Sequence, residues 1–195
     1  MIIDLRDYTT TPGARDQLIE ACEGIFFPEQ ERLGATILGS FRDADDPDRF
    51  VWLRSMSDMA TRQRVLTAFY TEGAMWKEHR DEANSWIADS DNVLLVRPVG
   101  EIGPPATEES VVGMYTRLGK SPLGANATPP AEIPDAIAAS GGRLLATLVT
   151  DPVANNYPRH PIRTDEHGYV WLATFAGRSK IEGRRLLPTE RSRLR

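Results

Sequence analysis

Cysteine occurs once in these 195 residues and histidine three times. No apolar run approaches the roughly 20 residues that a bilayer-spanning helix needs. The single Cys22 cannot close an internal disulfide, and its place on an apolar stripe suits packing better than nucleophilic attack. His79, His160 and His167 show no ligand spacing with Cys, Asp or Glu, so no metal is expected. Basic residues are outnumbered, 23 against 28, and a net charge of −5 excludes the clustered positive surface of a general nucleic-acid binder. The basic stretch 184–195 is the one local departure. The opening Met1-Ile2-Ile3-Asp4 lacks the basic segment and apolar core of a signal peptide. No G-x-S-x-G, phosphate-cradling glycine loop or dinucleotide fingerprint is present, and no cofactor is expected. These absences lead to the expectation of a cytoplasmic protein that engages neither membrane nor nucleic acid.

What is present is periodicity. Residues 2–10 alternate with period two, and Pro12-Gly13 ends that strand. A helix is expected over 14–33, with Leu18, Ile19, Cys22, Ile25 and Phe26 on its apolar stripe, interrupted at Pro28 and capped by Gly34. Strands over 35–42 and 50–56 flank an Asp-rich turn. Ser57 or Asp58 starts a second helical stretch, broken at Gly73, whose second arm carries Trp76, His79, Ala83, Trp86 and Ile87. A strand over 92–97 stops at Pro98. The order is β-α-β-β-α-β.

The second half repeats these landmarks. Tyr8-Thr9 returns as Tyr115-Thr116, and Gly34 with Leu38 as Gly141 with Leu145, all at a spacing of 107. The run 50–56 returns at a spacing of 119 as Tyr169-Val170-Trp171-Leu172-Ala173-Thr174-Phe175. Val96-Arg97-Pro98 answers Leu186-Leu187-Pro188. The second hairpin, 151–168, therefore holds about twelve extra residues, and little room is left for a second helix in the second copy. The expected architecture is α+β: two ferredoxin-like βαββαβ units in tandem, over 1–99 and 110–195, with a linker at 100–109.

Asp4-Leu5-Arg6-Asp7-Tyr8-Thr9 with Pro12-Gly13, the segment from Trp76-Lys77-Glu78-His79 to Asn84, Asp89 through Pro98, and the closing Leu186-Leu187-Pro188-Thr189 resemble the NIPSNAP family. The resemblance implies a dimeric α/β-barrel fold in which two ferredoxin-like sheets pack face to face. Relatives by fold include small cofactor-free monooxygenases, isomerases and haem-dependent enzymes. It supplies no shared catalytic residues, so the fold comes with the resemblance and the reaction does not.

If Ile3, Leu5, Val51 and Leu53 face the helices, then Asp4, Arg6, Tyr8, Trp52 and Arg54 face the opposite side, which in a barrel encloses a cavity. The charged groups there either pair among themselves or hold a ligand. The candidate ligand-binding set is Asp4, Arg6, Trp52, Arg54, Trp76, Tyr157 and Trp171. Tyr8 and His79 are the candidate catalytic groups, His79 being either a packed residue on its helical stripe or an acid/base at the cavity mouth. The long hairpin is a lid, a pocket wall or a contact element. Two functions stay open: a small-molecule binding or interaction module, and a cofactor-free monooxygenase or isomerase acting on a small aromatic or anionic substrate. Open sheet edges and the apolar surface left by the missing helix also suggest a homo-oligomer.

Overall fold

The computed structural model describes residues 1–103, 111–124, 127–175 and 182–194. The elements in chain order are β1 (Ile2–Thr10), α1 (Arg15–Ala21), α2 (Phe27–Leu33), β2 (Thr36–Asp43), β3 (Arg49–Met56), α3 (Met59–Leu66), α4 (Ala74–Ser85), β4 (Ile87–Asp89), β5 (Val93–Pro98), β6 (Val111–Gly119), α5 (Glu132–Ala139), β7 (Arg143–Thr150), β8 (His167–Phe175) and β9 (Arg184–Pro188). Among the described residues no helix is long and apolar enough to cross a membrane.

Eight strands close an antiparallel barrel in the order β3-β2-β9-β6-β8-β7-β5-β1, with β1 pairing back onto β3. The short β4 lies outside the ring against the end of β1. Two four-stranded halves, β5-β1-β3-β2 and β9-β6-β8-β7, join at β2–β9 and at β5–β7. Closure uses up the edges that an open sheet would have offered to a partner.

Closure also decides the faces, and here the structure reverses the expectation. Ile3, Leu5, Val51 and Leu53 point into the barrel, where they meet Val112, Met114, Val170 and Leu172 of the other half. Asp4, Arg6, Tyr8, Trp52 and Arg54 lie on the outer face, with Tyr8 and Trp52 packed against the helices in the cluster of Leu18, Phe26, Phe27 and Phe69. Eight strands leave an interior just wide enough for side chains to fill. Two aliphatic faces therefore close on each other, and the aromatic and charged face is left for the helices.

The helices bend where the sequence interrupts them. Between α1 and α2 the segment Cys22–Phe26 is π-helical, and the Phe27 N–H reaches back to the Cys22 carbonyl. That wider turn places Pro28 in the first turn of α2, where its missing N–H costs nothing. Gly34 caps α2 in the left-handed region (φ 109°). Asp58 caps α3 by accepting the Thr61 N–H. A second π-helical segment, Thr67–Glu72, ends at Gly73, where a Cβ would run into the Phe69 carbonyl.

The halves are in matching register. Ile2 pairs with Met56 and Val111 with Phe175, so β1 and β6 correspond at a spacing of 109 while β3 and β8 correspond at 119. Both second strands carry a register shift at the same place, between Ile37 and Gly39 and between Leu144 and Ala146, at a spacing of 107. Gly141 repeats the positive φ of Gly34 (73° against 109°). The expected linker falls mostly outside the described residues, as does the stretch 176–181 where the missing second helix was expected. The outer face of the second half is not bare: Trp171, Tyr169 and Phe175 are buried against Ile137 of α5, with Leu123 and Ile133. The basic C-terminal stretch is tied down as well. Arg191 and Arg193 pair with Glu31, and Leu194 inserts into the barrel core.

Candidate functional site

The outer face of β1 and β3, roofed by α2, α3, the second π-helical segment and the 151–166 loop, holds three guanidinium groups and one carboxylate out of solvent. Asp4 and Arg54 are cross-strand partners. The Arg54 Nη2 donates to Asp4 Oδ2 at 2.5 Å, and Arg62 of α3 donates from Nε to Oδ1 at 2.8 Å. Gln30 of α2 accepts from Arg54 Nη1 at 2.5 Å. Burial alone would push the Asp4 carboxyl up; the charges of Arg54, Arg62 and Arg6 overcome that and hold it at about 2. Arg54, buried beside Asp4, is held charged in return.

Arg6 is placed differently. It is 1% exposed and, among the described residues, has no carboxylate within bonding distance. Its Nε donates to the Tyr8 hydroxyl at 2.7 Å, and its plane lies 5.1 Å from the Tyr8 ring centre and 5.5 Å from that of Trp52. Its Nη2 makes two long contacts, 3.5 Å to the Ser90 carbonyl and 3.4 Å to His160 Nδ1. Arg6 Nη1 and Arg62 Nη2 have no partner among the described residues. Arg62 uses Nη1 on the side-chain oxygens of Asn155 and Asn156, at 3.1 and 3.0 Å. Three buried cations thus face one buried anion, a surplus that a folded chain carries only at a cost.

The 151–166 loop is a wall with fixed anchors. Asn156 Nδ2 donates to the Met59 carbonyl at 2.5 Å, Tyr157 and Thr71 share a hydroxyl contact of 2.9 Å, and the Arg163 N–H donates to the Val93 carbonyl at 2.8 Å. His160 stacks 4.0 Å from Tyr70 and 5.5 Å from Tyr157. Burial and the charges of Arg6 and Arg54 push its imidazole down to about 2, so it is neutral. Arginine only donates, so His160 Nδ1 is the acceptor and the ring proton sits on Nε2.

Two adjoining spaces open over this cluster. An inner chamber of about 70 Å³ is walled by Tyr8, Phe26, Phe27, Trp52, Phe69 and Trp76. An outer vestibule of about 370 Å³ is bounded by Arg6, Arg80, Asp81, Asp91, Tyr157 and Arg159. Tyr70, Trp76, Asn84, Ser90 and His160 line both. On the measure by which one water needs about 15 Å³, the chamber holds roughly five waters, close to the bulk of one six-membered ring.

Of the residues singled out from sequence, the structure brings Asp4, Arg6, Tyr8, Trp52, Arg54, Trp76 and Tyr157 to this one region. It separates two others. His79 lies in a different cleft, between α1 and α4, with Gln17, Glu20, Glu82 and Trp86. It touches the edge of Phe26, which borders both this cleft and the chamber, while Trp76 and Ala83 of the same helix line the chamber. Trp171 is on the outer face of the other half. Sequence reasoning missed His160, Arg62 and Gln30 as site members. Gln30 did leave a signal, since it continues the i, i+4 series Leu18, Cys22, Phe26 as a polar residue on an apolar stripe. Arg62 does the same ahead of Val65, Leu66 and Phe69.

Position by position, the second half lacks the cluster. Gly113 and Ala173 occupy the places of Asp4 and Arg54, Tyr115 that of Arg6, and the Tyr115 ring lies over Gly113. The chain therefore defines a class: a closed α/β barrel with one polar, aromatic-walled site outside the barrel. It is similar to a protein described as a proposed monooxygenase from Lactobacillus acidophilus NCFM (13% identity, 96% of this chain and 93% of that one, TM-score 0.53). It is also similar to a second proposed monooxygenase, from Fusobacterium nucleatum (8% identity, 89% and 75%, TM-score 0.50). These two likenesses extend over most of both chains and show the fold. An uncharacterized NIPSNAP domain protein from Burkholderia xenovorans matches 51% of this chain and 96% of its own (13% identity, TM-score 0.45). No protein-family model matches, and no curated protein does.

Proposed function

We propose that this is a NIPSNAP-like small-molecule binding module whose ligand enters the chamber between the first half's sheet and its helices. The carrying observation is the pair of adjoining spaces over a buried, uncompensated Arg6. The barrel interior is filled by aliphatic side chains and offers no alternative. The same reading takes the halves, 1–99 and 110–195, as a duplicated βαββαβ unit, supported by the shared register shift and the repeated glycine cap. In it, the second copy has kept the scaffold and filled its own site.

The oxygenase or isomerase alternative draws on the same chamber and on the two proposed monooxygenases of similar fold. It needs a group that accepts a proton. His160, at about 2, is too weak a base near neutrality, and burial holds the Tyr8 phenol protonated. The groups present favour holding a ligand over moving its protons.

The test is a thermal-shift screen with small aromatic fragments on the wild-type chain, followed by tryptophan quenching. Hits should raise the melting temperature, and their quenching should shrink in Trp52→Phe and persist in Trp171→Phe. A screen without hits, or hits whose quenching follows Trp171, would refute the reading.

A further inference from the structure

The walls of the site say more about its occupant than its size does. Around the chamber and vestibule, Arg6 has Nη1, with its two N–H donors, without a partner among the described residues, and Nη2 in contacts of 3.4 and 3.5 Å. Its charge is felt by Asp4, but among the described residues it bonds to no carboxylate, since Asp4 is already shared between Arg54 and Arg62. The rim does not supply the missing charge: Arg80 pairs with Asp81, leaving Arg159 and Asp91 to offset each other. The His160 tautomer adds a second donor, Nε2–H, on a ring that lines both spaces. The Trp52 indole carries no weight here, because Trp171 in the filled half also lacks a partner. Both donor-bearing side chains line the vestibule, and His160 also lines the chamber, whose size is that of a single aromatic ring.

We infer that the ligand is a flat aromatic carboxylate, its ring in the chamber among Trp52, Phe69 and Trp76 and its carboxylate received by Arg6 with His160 beside it. The inference rests on the binding reading above and narrows it to a chemical class. A carboxylate supplies the missing negative charge and presents two acceptor oxygens to a guanidinium fork. A neutral amide of the same shape brings two donors of its own to a wall that has donors already.

The experiment is calorimetric titration of the full chain with benzoate, benzamide and acetate, at fixed ionic strength. Benzoate should bind at least tenfold more tightly than benzamide, and acetate at least tenfold more weakly than benzoate. Arg6→Met should bring the benzoate-to-benzamide ratio to about one, while Arg159→Ala on the rim leaves the ratio within about twofold. Equal affinity for benzoate and benzamide in the wild type would overturn the carboxylate assignment and leave the binding reading standing. Arg159→Ala abolishing the preference would also overturn it, by placing the anion at the surface. If neither aromatic binds, and a wider aromatic set also fails, the binding reading itself falls. Should Arg6→Met fail to fold, Arg6→Lys gives the same reading, with charge kept, the fork lost and the preference reduced at least threefold.

Discussion

Replacing Arg6 and Arg54 in turn by methionine separates a cation held for a ligand from one held for the fold. Arg54 is bonded to Asp4 and Gln30, and Asp4 depends on it. Removing it leaves a buried carboxylate with Arg62 as its only bonded cation, a loss of about 3–5 kcal/mol. Arg6 gives up a short charged hydrogen bond to Tyr8, for about 1.5–3 kcal/mol, and two long, weaker ones to the Ser90 carbonyl and His160. Its stacking on Tyr8 and Trp52 adds about 0.5–2 kcal/mol. Against this stands relief from burying an uncompensated guanidinium, several kcal/mol for each ion. The terms nearly cancel, and Arg6→Met should change stability by no more than about 1 kcal/mol in either direction. In a chain of this length 1 kcal/mol moves the melting temperature by roughly 2–4 °C. Differential scanning calorimetry should therefore show Arg54→Met lowered by about 6–20 °C and Arg6→Met within about 4 °C of wild type. Equal losses in the two variants would mean that Arg6 belongs to the structural pairing and is not held for an anion.

Acid should weaken the fold before the carboxylates titrate. His160 is held at about 2 in the folded chain against 6.5 for the free group, so the unfolded state binds a proton that the native state refuses. Stability present above pH 6.5 should drop by about 1–2 kcal/mol between pH 6.5 and 5, read as urea midpoints, and His160→Asn should flatten that slope. Asp4 works lower down: its contribution is complete above pH 3.8 and is lost as pH falls toward 2, a region where Asp4→Asn should show a weaker dependence. Gly73→Ala sets a Cβ against the Phe69 carbonyl and should cost about 1–3 kcal/mol, while Gly24→Ala, whose Cβ meets open space, should not lower the midpoint. An unaffected Gly73→Ala would show that the junction before α4 is loose.

Most of the strand order was legible because turns and alternation are local properties. Trp52 and Trp171 are the landmarks by which the sequence aligns the two halves; in the structure Arg6 faces Trp52 and Tyr115 faces Trp171. The Tyr-Thr match places β6 two residues out of register, at 107 instead of 109, and alternation does not reveal this because a shift of two keeps every side chain on its face. What alternation does not contain is which face is inside. It groups Asp4 with Arg6 and Trp52, but only closure of the second sheet over the first sends Ile3 and Leu5 inward. The site residues contributed by distant segments were the least legible. Nothing near Arg62 announces Asp4, and His160 reaches Arg6 only because a loop 154 residues further along the chain folds back across the other half.

That loop makes the filled half part of the open half's site. The second hairpin is twelve residues longer than the first, by the register spacings of 107 and 119, and the surplus contributes Asn155, Asn156, Tyr157 and His160. If the surplus only braced α3, excising 152–163 should lower the melting temperature and leave aromatic binding intact. The geometry argues otherwise. Excision would let water reach the freed Nη1 of Arg62, so the loss comes from the loop's own packing, Ile162 against the Ile2 and Met56 cluster included, and from its anchors at Met59, Thr71 and Val93. It would also remove the wall that His160 and Tyr157 give the vestibule, so the ligand would bind in an open groove. The shortened chain should still melt cooperatively and show normal far-ultraviolet dichroism, with benzoate affinity reduced at least tenfold. Undiminished affinity would mean that the first half builds its site alone and that the long hairpin serves another surface.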